Sequence, residues 1–92
     1  MQTQSFKPSS EMTFSTVQTD CERLYKYCRE HAEAILKIDL SEVVHCDSAG
    51  LALLIEAERL CREKNKTCKM ENMPKIIHVL AEFCGVNGIL AP

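Results

Sequence analysis

Residues 38–64, IDLSEVVHCDSAGLALLIEAERLCREK, decide how this chain folds. Leu36, Ile38 and Leu40 alternate with Lys37 and Asp39, the period of a half-buried strand. Val43, Val44 and Cys46 follow without a period. A helix then begins after Asp47-Ser48 and runs to about Lys64. Projected at the helical angle, Gly50, Leu53, Leu54, Ala57, Leu60 and Cys61 fall in one sector, the expected core stripe. Ser48, Ala52, Ile55 and Arg59 fall roughly opposite, flanked by Leu51 and Arg62. Aliphatic side chains beside a serine and an arginine describe a partner surface with a charged rim. The competing reading buries Leu51 and Ile55 under a neighbouring element. Ser48 has two readings as well. Its hydroxyl can cap the helix, or it can accept a phosphate, since a helix N-terminus favours an anion. Asp47 would oppose that added charge.

The flanks give the remaining elements. Before the central stretch, Thr19 and Glu22 have capping-box spacing, and Cys21, Leu24, Cys28, Ala32 and Ile35 recur as one helical stripe. MTFSTV, residues 12–17, alternates as a short strand. Residues 1–10 read as a flexible start or a weak edge strand around Ser5–Lys7, because Pro8 cannot donate to a ladder. After the central stretch, Asn65 and Lys66 turn the chain into the strand KTCKMEN, with Cys68 and Met70 inward. Pro74 opens a third helix whose stripe is Ile76, Ile77, Leu80, Phe83 and Cys84, and Gly85 ends it. The tail VNGILAP is too short for much more. The order ββαβαβα predicts an α/β fold, a small mixed sheet of about four strands with three helices mainly on one face.

Composition narrows the function. Ninety-two residues make one domain, expected over 11–92. With 46% hydrophobic and 26% charged residues the chain is globular rather than disordered. A net charge of −2 lacks the basic footprint of nucleic-acid binding. No apolar run reaches the roughly 18 residues of a membrane span, so no direct membrane insertion is expected. MQTQSFKPSS has no apolar segment of a signal peptide, which predicts the cytoplasm. There the six cysteines are expected to be buried or inert thiols, and no CxxC pair offers a metal site. Neither GxSxG nor GxxxxGK[ST] occurs, so no catalytic residue and no cofactor is expected.

The stretch IDLSEVVHCDSAGLALLIEAERL resembles the STAS domain in its [I/V]DLS strand, its D-[ST]-x-G-L turn and the helix that follows. LAEFCGVNGIL resembles the closing helix and exit of that family. The resemblance spans residues 11–91; STVQTD, residues 15–20, stands where the family carries a glycine–acid turn. It implies a non-catalytic protein that works by docking. Two branches are implied. In one, a STAS subunit binds the ATPase of an Mla-type ABC transporter and supports phospholipid transport and outer-membrane lipid asymmetry, peripheral to the inner membrane. In the other, an anti-sigma factor antagonist is phosphorylated by an anti-sigma kinase at the residue matching Ser48. GLALL ahead of a long helix is closer to the transporter branch. Either way the expected docking residues are Asp47, Ser48, Leu51, Ala52, Ile55 and Arg59.

Overall fold

The computed structural model describes residues 4–90. Residues 1–3 of the expected flexible start, and residues 91–92, lie outside them. The elements are β1 (Glu11–Met12), α1 (Val17–Glu30), β2 (Ile35–Asp39), β3 (His45–Cys46), α2 (Ser48–Glu63), β4 (Thr67–Glu71), α3 (Lys75–Phe83) and α4 (Asn87–Leu90). The class is α/β. β2 pairs with β4 in parallel from Ile35–Thr67 to Asp39–Glu71, and β1 pairs with β3 in parallel through Glu11–His45 and Met12–Cys46. Phe6 adds a parallel bridge to Ile38, donating to the Lys37 carbonyl at 2.8 Å and accepting from Asp39 N at 2.9 Å. Among the described residues every pairing is parallel, where a mixed sheet was expected. The reason is local. Residues 7–10 hold no hairpin turn, and Pro8 keeps the chain extended, so residues 6–12 run on alongside residues 38–46 without reversing.

The expected strand over residues 12–17 stops after Met12. Thr16 N and Val17 N both donate to the Thr13 carbonyl, at 3.0 and 2.9 Å. The Thr16 hydroxyl accepts from Thr13 N and donates to the Glu11 carbonyl. Threonine side chains thus close a turn that competes with the ladder. α1 accordingly starts at Val17, and Thr19 does not cap it. The helix ends at Glu30, so Ala32 and Ile35 leave its stripe, and Ile35 opens β2 half exposed. Inside α1, the Asp20 carboxylate is fully buried, yet it accepts from Ser9 N, the Ser9 hydroxyl and Arg23. That set satisfies the charge and ties residues 7–10 to the helix.

α2 lies at the centre, touching α1, α3, α4, β1, β3 and β4. Its predicted stripe is buried in full, from Gly50 through Leu53, Leu54 and Ala57 to Leu60 and Cys61. Leu36, Ile38 and Leu40 of the β2 stretch face it in the core, as their alternation required. Gly85, at φ 74°, closes α3 with paired bonds: Gly85 N to the Glu82 carbonyl and Val86 N to the Ala81 carbonyl. That geometry needs the left-handed region. The tail does more than expected. It forms α4, because Leu90 finds an apolar site against α2 and α3. Of the thiols, Cys61 is buried, Cys21, Cys28, Cys46 and Cys68 are half-buried, and Cys84 is exposed rather than in the α3 stripe, since the helix ends there.

Gly50 carries the tightest constraint. A Cβ at this position would collide with the carbonyl and Cβ of Met12. Gly50→Ala is expected to lower stability by about 1–3 kcal/mol in urea unfolding, as overpacking does. Gly88→Ala, which meets open space, is the control and should cost nothing.

Candidate functional site

The candidate site forms where β1, β3 and α2 meet. Asp47, not Ser48, caps α2. Asp47 Oδ1 accepts from Ala49 N at 2.9 Å and from Gly50 N at 3.2 Å. Asp47 Oδ2 accepts from Phe14 N at 3.0 Å, and Asp47 N donates to the Met12 carbonyl at 3.1 Å. The carboxylate therefore fixes the helix start and the 13–16 turn, and the backbone N–H of the same residue ties them to β1. These bonds hold its pKa below the ordinary carboxylate value, the Phe14 N–H first among them.

Because Asp47 takes the cap, the Ser48 side chain is left exposed at the first turn, with no hydrogen bond among the described residues. Ala52, one turn on, is exposed as well. Ile55 is half-buried and packs against the core. Leu51 is a correction: it is 3% exposed, a core side chain unavailable to any partner. Gly50 brings the start of α2 so close to β1 that its neighbour Leu51 is enclosed on the flank of the stripe. Arg59 lies on the Ser48 face but is engaged within its own helix. It grips Glu56 through two bonds of 2.7 and 2.8 Å and reaches Glu63 at 3.2 Å. Arg59, then the hydroxyl of Tyr25, pull the Glu56 pKa down to about 2. Arg59 is a rim residue whose charge is already paired.

The structure adds Val79, which the expected stripe left out, and Ile76 and Phe83, which that stripe assigned to the core. α3 buries only Ile77 and Ala81. Its other side is apolar and open: Val79 is 54% exposed and Phe83 88%, with Ile76 beside them. Together with Lys75, Leu80 and Cys46 they line a groove of about 510 Å³. Cys46, which immediately precedes Asp47, is the lining residue nearest in the chain to the start of α2. Burial, then the Asp47 charge, push the Cys46 thiol up to about 11, so it stays protonated and acts as a small apolar group. Phe14, bonded to Asp47 through its backbone, holds its ring 83% exposed. The sequence did carry a signal for this face. Ile76-Ile77 and Val79-Leu80 are adjacent apolar pairs, and adjacent positions cannot share one face of a helix.

The described residues hold no group of three or more ligating side chains placed for a metal, and no helix among them is long and apolar enough to cross a membrane. What the site offers is a surface of small and apolar side chains around one free hydroxyl.

A small parallel α/β fold built around such a helix start is consistent with a STAS domain. Residues 15–91 match the family described as Mlab, STAS domain, and the chain belongs to that family. It is 36% identical over 59 residues to the intermembrane phospholipid transport system binding protein MlaB of Haemophilus influenzae, over 64% of this chain and 56% of that relative. The aligned stretch thus spans a little over half the relative's length.

The depressed Asp47 pKa has a testable sign. A carboxylate whose pKa is lowered by folding contributes its full stability above the unfolded value, 3.8, and loses it as the pH falls from there through the lower folded value. Asp47→Ala is expected to lower the urea midpoint at pH 7. The gap to the wild type should narrow below pH about 4. A gap that stays constant down to pH 3 would show that the carboxylate's charge is not involved.

Proposed function

We propose that this chain is a non-catalytic STAS subunit that docks on the ATPase of an Mla-type ABC transporter, in phospholipid transport and the maintenance of outer-membrane lipid asymmetry. It works in the cytoplasm, held at the inner membrane through its partner and without inserting itself. The observation that carries this reading is the exposed apolar groove of Ile76, Val79 and Phe83 on α3, lined also by Cys46 next to the Asp47 cap, together with the exposed Ser48 and Ala52 on α2. Exposed apolar area of this kind is costly in water unless a partner covers it. The similarity to MlaB, a phospholipid transport system binding protein, supports a transporter component as the partner.

The action follows from selective binding. A subunit that grips one conformation of an ATPase better than another shifts the balance between them by its differential affinity, with no chemistry of its own. The apolar face supplies the binding free energy. Ser48, small and unbonded, lets another backbone approach the first turn of α2.

One observation also favours a second reading, an anti-sigma factor antagonist switched by a kinase at Ser48. The hydroxyl is exposed and uncommitted, and a phosphate there would meet the positive end of α2. Asp47, next in the chain, would oppose it.

One co-purification series separates the readings. Ala52→Glu and Val79→Glu both place a charge on exposed positions, so the fold should survive. Each is expected to weaken capture of an Mla-type ATPase about tenfold or more. Lys69→Glu on β4 should leave capture unchanged. Undiminished capture of both face variants would contradict the docking surface. A phosphoryl increment on Ser48 in protein from its native cell, with loss of binding in Ser48→Asp, would move the assignment to the switch.

A further inference from the structure

A second concavity lies at the other end of the molecule. β2 begins there, α1 ends there and the α2–β4 turn closes it. From Ile35 the chain runs through β2 and β3 before reaching Asp47 and Ser48, and parallel pairing of residues 6–12 beside residues 38–46 keeps that path extended. The cavity has a volume of about 440 Å³, within the range of small-molecule sites. Its apolar walls include Ile35, half exposed at the first position of β2, and Leu36. Tyr27 and His31 add a wall of stacked rings, their centroids 4.0 Å apart and planes 20° from parallel.

The polar groups of the cavity are mostly cationic or donating. Lys66 gives one hydrogen bond to the His31 carbonyl at 2.9 Å, which leaves two of its three donors. Lys37 is half-buried and has no ion-pair partner among the described residues. The Tyr27 hydroxyl likewise has no hydrogen bond among them. Glu33 is the one acid in the lining, and it is exposed. A lysine whose stem is partly covered and whose ammonium has no counter-ion, beside an apolar wall, is an arrangement that an anion with an apolar body completes.

We infer that this cavity is a binding site for a small organic anion, a molecule with a compact apolar or aromatic body and one carboxylate, sulfonate or phosphate. The body rests on Ile35 and the Tyr27–His31 pair. The anionic group meets Lys37 and the remaining donors of Lys66. The site shares no residue with the Ser48 face, so it stands or falls independently of the docking function.

The test is an amide NMR titration of the full chain with 8-anilinonaphthalene-1-sulfonate, an aromatic sulfonate of the right class. Saturable shifts are expected over residues 27–37 and at Lys66. Lys37→Ala should weaken binding about tenfold, the scale of one charge-assisted contact. Ile35→Glu, at a half-exposed strand start, should abolish it by placing like charge in the site and serves should the first variant fold poorly. Shifts that never saturate, shifts confined to Ile76, Val79 and Phe83 in the α3 groove, or affinity unchanged in these variants would overturn the inference. Unaltered probe binding in Ala52→Glu keeps the outcome separate from that of the docking experiment.

Discussion

The close approach of α2 to β1 is the constraint on which the rest depends. At Gly50 the helix backbone lies against the Met12 carbonyl with no room for a side chain. That contact seats the first turn of α2 on the β1–β3 pair and lets one carboxylate reach three backbone N–H groups on two elements. A helix start held from both sides has little freedom to fray. Its next turns bury Leu53, Leu54 and Ala57, and the helix packs against α1, α3, α4, β1, β3 and β4.

The same constraint shapes the face that α2 turns outward. With Asp47 as cap, Ser48 contributes nothing to the helix end and remains free. With Leu51 drawn into the core, what is left outside is small: Ser48, Ala52 and the edge of Ile55. Such a surface would be a poor anchor alone, since binding energy concentrates in large buried groups. The aromatic and aliphatic side chains come from elsewhere, from Phe14 in the turn that Asp47 holds and from Ile76, Val79 and Phe83 on α3. Small residues permit approach, and large ones beside them supply the apolar area.

Much of this was legible in the sequence where a single period ruled. The β2 alternation, the α2 stripe, the β4 segment and the Gly85 stop are all read directly from residue order, and the motif around Asp47–Leu51 led to the family. What stayed hidden had competing local physics. Threonine hydroxyls ended β1 at Met12, although MTFSTV alternates as a strand. Aspartate and serine both cap helices, and residue order alone does not say which of the adjacent Asp47 and Ser48 takes the role; Asp47 Oδ1 takes it by accepting from Ala49 N and Gly50 N. Leu51 sits on the border between two helical sectors, where a projection cannot say which neighbour covers it. α3 was harder still, because a helix apolar on two sides does not declare which side the core takes. Pocket-lining Lys37 and Tyr27 lie far apart in the chain, so no local pattern could join them.

Hydrogen–deuterium exchange on the chain alone, and again with an Mla-type ATPase, addresses the central claim most directly. The account predicts new protection in two segments only, residues 47–56 and residues 75–83. Exchange in residues 31–37, at the far end, should not change. Protection concentrated at that far end, with the α2 and α3 segments untouched in a formed complex, would contradict it.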